Sequence, residues 1–349
     1  MRLCFLFKAF YNCKNIRISC EYNNSFTSFF QGTDISKSNV YKLTLPASLS
    51  KIDDGEFENC NNLVGITIPD NVYEIGERAF KNCSRLKTLE VPSKIKIIPA
   101  SAFEGCTYMK SVKLPTTLEQ ISESAFLNCT SLDTIIWKNK STSVENVAGE
   151  NLKTIESGAF KNCKSLLSFD MSKTKITELS EECFTGCNKI TEIILPNTLV
   201  NINNKAFYSC VSLSSISVPD NVTSIGDYAF YDTNIKSFTF PKKLASLGVG
   251  AFKRTGLTNI SLPDSFTTIG EECFMESKIE SVQFPSSLKY IDANAFNGCS
   301  NLKSLELKEG VVELGYYAFA NCTSLGDVNI PSTITGTKKI VSFQDNAFE

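Results

Sequence analysis

Apolar residues return along this chain in one recurring phrase. A single copy reads Leu63-x-x-Ile66-x-Ile68-Pro69-x-x-Val72-x-x-Ile75-Gly76-x-x-Ala79-Phe80-x-x-Cys83. Its first six positions are apolar at 1, 4 and 6, and the alternation of Ile66 and Ile68 predicts a short strand with both side chains on one face. Proline suits the end of that strand because it has no N–H to give to a ladder. Ten of the eleven prolines occupy this column, and Pro99 is the exception. After the turn, Ile75, Ala79 and Cys83 lie four residues apart, which predicts one buried stripe on a short helix.

The phrase sets the organisation of the chain. Phenylalanine recurs at 57, 80, 103, 126, 160, 184, 207, 230, 252, 274, 296, 319 and 348, spaced by 22 to 24 residues except for gaps of 34 before Phe160 and 29 before Phe348. Upstream, Lys8-Ala9-Phe10-Tyr11-Asn12-Cys13 repeats the same wording, and a degenerate copy follows it. A single copy cannot bury its apolar face, so copies must stack strand on strand at ~4.8 Å. With the bulkier elements on the far side, the stack is expected to bend. The expected fold is therefore an α/β repeat solenoid, curved, with a parallel sheet on the concave face and short helices or turns on the convex face. Residues 1–39 form irregular, degenerate amino-terminal repeats in this reading. Residues 40–349 form a continuous solenoid, interrupted by insertion loops at about 139–149 and 332–337.

The phrase LxxIxLPxxLxxIxxxAFxxC resembles the treponemal-type leucine-rich repeat of the BspA-like family of surface proteins. The resemblance runs from about Lys8 to the last residue. It implies a leucine-rich-repeat solenoid and a role in adhesion or contact with a host or cell surface. Since the repeated positions are all core positions, it says much about fold and little about ligand.

Composition narrows the chemistry. The formal charge is −2, from 35 Lys and Arg against 37 Asp and Glu, so the basic footprint of a nucleic-acid binder is missing. Histidine is absent, which removes Ser-His-Asp and Cys-His nucleophiles, imidazole acid–base catalysis and every His-containing zinc site. No phosphate-binding glycine loop and no GxSxG elbow occurs. The pairs Glu181-Glu182 and Glu271-Glu272 read as solvated acids at helix starts. No cofactor, metal or enzymatic activity is expected.

Fourteen cysteines are many for this length, and ten share the column three residues after Phe. Stacked buried thiols acting as small hydrophobes account for a column whose side chains all point the same way. Three phrases vary: those of Phe230, Phe252 and Phe274 carry Thr233, Thr255 and Ser277 in the Cys column, and each is one residue shorter before its next strand. Such coupling is expected if this side chain packs or bonds against its own loop.

Binding residues are sought at outward strand positions, which are mostly Ser and Thr. The candidate surface comprises Thr134, Ile136, Ser168, Asp170, Glu192, Ile194, Ser215 and Ser217, where two isoleucines and two acids interrupt the hydroxyls beside the larger insertion. Trp137 lies in an inward column and is expected in the core. A protein or glycan would dock on this face or on the rim loop. The opening Met-Arg-Leu-Cys-Phe-Leu-Phe-Lys falls short of the ~7–15 apolar residues of a secretory signal, and no stretch approaches the ~20 of a membrane span. Two settings stay open: a cell-surface or secreted protein, as the resemblance implies, and a cytoplasmic interaction scaffold, as unpaired thiols suggest. The chain starts and stops inside repeats, so uncapped termini are expected to allow end-to-end association.

Overall fold

A computed structural model describes residues 15–17, 41–138, 144–145, 147–244 and 246–334. The chain divides into two compact units, Met1–Ile176 and Thr177–Glu349. Each is a stack of coils, here called rungs. Most of residues 1–39, the copy around Phe10 and the second insertion beyond Ile334 lie outside the described residues.

In the first unit, Asn15–Arg17, Lys42–Thr44, Gly65–Thr67, Thr88–Glu90, Ser111–Pro115 and Thr134–Lys138 form one parallel ladder. Its register sets like on like: Leu43 faces Ile66, Leu89 faces Val112, and Val112 faces Ile135. A second row of pairings, not anticipated from the sequence, is built from two-residue strands in two short sheets, one of Lys51–Ile52 and Glu74–Ile75 and one of Ile97–Ile98, Gln120–Ile121 and Thr154–Ile155. Ile52 faces Ile75, and Ile121 faces both Ile98 and Ile155. The second unit repeats the scheme, with Glu192–Ile194, Asn259–Ser261, Ser281–Gln283, Ser304–Glu306 and Asp327–Asn329 on the main strand face and short pairs such as Asn201–Ile202 and Ser224–Ile225 on the other.

The expected helices do not form: among the described residues there is none, and the Ala-Phe segment is a ribbon of turns. Two residues per rung hold left-handed backbone, for instance Arg78 (φ 56°) and Asn82 (φ 59°), and a left-handed residue at every fourth position cannot belong to an α-helix. The hydrogen bonds tell the same story. Amides alternate between closing a tight turn within the rung, as Cys60 N–H to Phe57 C=O (3.1 Å), and reaching the next rung, as Phe57 N–H to Ala79 C=O (2.8 Å). Ile75, Ala79 and Cys83 are buried as their spacing implied, but on a strand and a turn ribbon. Glu181-Glu182 and Glu271-Glu272 are accordingly not at helix starts. Glu182 and Glu272 occupy left-handed turn positions, and Glu272 pairs with Lys253 at 2.9 Å.

Phenylalanine is the spine of each unit. Rings of Phe57, Phe80, Phe103, Phe126 and Phe160 stack at 5.2–5.4 Å with interplanar angles of 3–16°. The series from Phe184 to Phe319 continues likewise in the second unit at 5.1–5.8 Å. The 34-residue gap leaves no mark on the spine: Phe126 and Phe160 stack at 5.2 Å, and Phe126 N–H reaches Ala159 C=O at 2.8 Å. The extra residues are accommodated at the strand end. Lys138 stands where other rungs have proline, and Thr134–Lys138 pairs with an antiparallel strand, Val144–Glu145, rather than leaving directly into a loop. Val147 then bridges to Asp170, and Gly149 passes so close to Thr116 that a Cβ there would lie 2.1 Å from its carbonyl oxygen.

Thiols bind the spine rung to rung. Cys83 Sγ donates to the Phe57 carbonyl at 3.0 Å, and Cys106, Cys129, Cys163, Cys210, Cys299 and Cys322 repeat this toward the preceding rung at 3.0–3.3 Å. Thr233, Thr255 and Ser277 instead donate to the phenylalanine carbonyl of their own rung, at 3.0, 2.9 and 2.6 Å. The coupling of residue type to loop length thus reflects a change of acceptor.

Two outcomes follow from this core. Phe207→Ala removes a ring stacked on both sides and is expected to cost ~3–5 kcal/mol in denaturant unfolding. Burial pushes the Cys129 and Cys210 thiols up to about 12 and that of Cys299 to about 11, so the folded state holds protons that the unfolded chain releases near its ordinary thiol pKa of 9. Stability is therefore complete below that value and falls as pH rises toward the folded-state values, by ~1.4 kcal/mol per pH unit for each thiol. Unfolding measured from pH 8.5 to 11 should fall off less steeply in Cys210→Ala than in the parent chain.

Candidate functional site

The main strand face is built from outward residues on short strands and strand-like segments whose backbones are held by neighbouring rungs. In the first unit, Thr134 and Ile136 are half-buried beside Ser111 and Lys113, their register partners. The Thr134 hydroxyl donates to Asp133 at 2.8 Å. Trp137, between them and the strand end, points inward: it is 1% exposed and meets Phe169 edge-on at 6.2 Å. Ser168 is exposed, whereas Asp170 is half-buried and engaged locally, accepting the Ser172 N–H at 2.8 Å on its side chain.

In the second unit, Glu192, Ile194, Ser215 and Ser217 are all exposed. Ile194, 39% exposed, bridges to Ser217 on the next rung, which puts an apolar side chain beside a hydroxyl. The arrangement suits contact with a surface. It brings together no nucleophile with a base, and among the described residues no group of three or more Cys, Asp or Glu is placed to hold a metal ion.

One feature of the face was not read from the sequence as a unit. Glu90 pairs with Lys113 at 3.2 Å and with Lys138 at the head of the insertion, so one carboxylate joins three rungs. The hydrogen bond from Lys138 foremost, joined by that from Lys113 and by the charge of both lysines, holds the Glu90 carboxyl below its usual range against the opposing effect of burial. The signal was present as alternating charge at Glu90 and Lys113 in one outward column. Its third member was hidden, because Lys138 occupies a column where other rungs have proline.

Residues 33–151, 142–255 and 223–349 match the BspA type Leucine rich repeat region, a pattern of six copies. The chain belongs to the BspA-type leucine-rich repeat family. Among solved structures it is similar to a leucine-rich repeat protein from Bacteroides ovatus, with 28% identity, 84% of this chain and 82% of the other covered, and a TM-score of 0.70. It is also similar to the leucine-rich repeat protein TpLRR of T. pallidum (25% identity, 57% and 83% covered, TM-score 0.45). A leucine-rich cell surface protein from Faecalibacterium prausnitzii is similar at 23% identity, with 86% and 89% covered and a TM-score of 0.47. No curated protein matches the chain. For this BspA-type chain the repeated phrase is thus the scaffold, and its distinguishing chemistry lies in the outward columns.

Lys138→Ala is expected to return the Glu90 pKa toward 4.5, as read by carboxyl NMR titration. Both side chains are nearly half exposed, so the loss of stability should stay below ~1 kcal/mol and shrink further in high salt.

Proposed function

We propose that this chain is a non-enzymatic binding protein, displayed at a cell surface or secreted, that presents its main strand face to a protein partner during adhesion or host contact. Membership of the BspA-type family supports the setting. The observation that carries the docking mode is the exposed group Glu192, Ile194, Ser215 and Ser217 on a backbone tied to its neighbours, with Thr134, Ile136, Ser168 and Asp170 as the corresponding group in the first unit. Rigid scaffolds with short side chains meet a broad partner at little entropic cost. Bowing of each unit toward its strands, as the bulkier turn side favours, belongs to the same reading. Among the described residues no helix is long and apolar enough to cross a membrane, so display would use an attachment other than such a helix in them. Unpaired thiols argue for a cytoplasmic scaffold only where oxidants reach them, and the cysteines among the described residues are buried, with Cys129 and Cys210 among those donating to backbone carbonyls.

The test has two arms. Antibody and protease should reach the protein on intact cells of its source; full protection inside them would overturn the setting. Beads coated with the chain should adhere to target cells, and Ile194→Glu combined with Ser215→Arg should reduce adhesion by about tenfold, the loss of one well-packed anchor. Adhesion unchanged by this pair, with the melting temperature preserved, would remove the strand face from the reading.

A further inference from the structure

Away from the strand face, the second unit carries a cleft of about 370 Å3 along the edge where the turn ribbon returns to the strands. Its origin is readable in the backbone. In ordinary rungs the residue after the Cys column folds back in a tight turn, as Ser84 N–H to Asn82 C=O (2.7 Å) or Ser300 N–H to Gly298 C=O (2.8 Å). The rungs of Phe230, Phe252 and Phe274 each lack this residue. Three consecutive deletions leave a notch along the edge, with Val211 of the preceding rung on its wall.

The notch is firmly built. Thr233 and Thr255 line it, are 3% and 1% exposed, and are fixed by their hydroxyl bonds to their own rung. Its walls carry Asp232, Arg254 and Glu276, each at a left-handed position (φ 56°, 61° and 57°) whose amide donates to the next rung. The same position holds Asn59, Asn82, Gly105, Asn128, Asn162, Gly186, Ser209, Gly298 and Asn321 in other rungs. Asn and Gly tolerate this backbone, while Arg and Glu meet a steric cost of order 1 kcal/mol there. Among the described rungs, charge at this position is confined to the three notched ones.

The lining chemistry is specific. The Arg254 guanidinium lies 3.8 Å from Asp232 and 3.7 Å from Glu276, longer than the ~2.7–2.9 Å of a closed ion pair, so its N–H groups remain available. Lys278 and the Asn234 amide line the notch as well. Two acids and two bases leave no net charge, so neither a free anion nor a free cation is favoured. An apolar ligand would strand these groups without partners. An extended peptide advances by ~3.3 Å per residue and falls out of step with side chains set one rung, ~4.8 Å, apart. A hydroxyl both donates and accepts, which matches carboxylate and guanidinium in alternation. Next to Asp232 in the chain, Tyr231 stacks on Tyr208 at 4.5 Å, adding an aromatic surface at this edge.

We propose that this notch is a binding site for a neutral glycan, a short oligosaccharide whose hydroxyls bridge Asp232, Arg254 and Glu276. The site is separate from the strand face and does not depend on its role. Calorimetric titration of the full chain with cellotriose, chitotriose, maltotriose, mannotriose and lactose should give saturable binding to at least one. Arg254→Gln and Asp232→Asn should each weaken it by about tenfold, the effect of one hydrogen bond to a charged group. Asn234→Ala and Lys278→Ala alter the lining at exposed side chains and should weaken binding with an unchanged melting temperature. Insertion of one serine after Thr255, which restores the ordinary loop length, should abolish binding in a chain that still melts cooperatively. Ile194→Glu with Ser215→Arg should leave it intact. Absence of saturable binding to every neutral sugar, binding that survives the insertion, or saturation only by a sulfated sugar or a peptide would overturn the proposal.

Discussion

Every rung depends on its neighbour for hydrogen bonds that it cannot make alone. A coil of about 23 residues with no helix has dozens of polar backbone groups, and burying them unpaired would cost more than its few apolar side chains return. The solution is lateral. Amides of the strand, the short second strand and every other turn residue donate to the adjacent rung, as Phe57 does to Ala79. Once the rungs are locked at that separation, the phenylalanines have little choice but to stack face to face, and the thiols lie within reach of the preceding carbonyls.

This sideways bonding explains what was legible in the sequence. Recurrence of Ala79-Phe80 with Leu63, Ile66 and Ile68 fixed which side chains are inside, because burial depends only on position within the phrase. The solenoid follows from that periodicity and from family membership. The ribbon conformation was not legible, since Ile75, Ala79 and Cys83 satisfy a helical spacing as well as a strand followed by two turns. The left-handed residues could have decided between them: Asn at 59, 82, 128, 162 and 321, with Gly at 105, 186 and 298, marks a position that a helix would not favour.

Outward chemistry was legible only in part. The pairing of Ser, Thr and Ile positions across rungs follows from register, and Ile194 beside Ser217 was foreseeable as such. The tie from Glu90 to Lys138 spans two rungs and needs a side chain from the proline column. The edge cleft was present in the sequence as Thr233, Thr255 and Ser277 with their shortened loops, but that three small deletions align into one depression follows only from the stacking of the rungs.

The near-identity of successive interfaces has a genetic consequence. Where a Phe-to-Cys phrase meets its like on both sides, recombination that duplicates or excises one whole phrase rejoins two surfaces that already fit, so such a gene can lengthen or shorten in steps of one coil. The three notched rungs are an exception. In place of a thiol each carries a hydroxyl that bonds within the coil, so losing one of them would shorten the depression, while a neighbour copied into it would close it. Length is thus free to drift across most of the array, and the Phe230–Phe274 block should travel through such exchanges as a single heritable cassette.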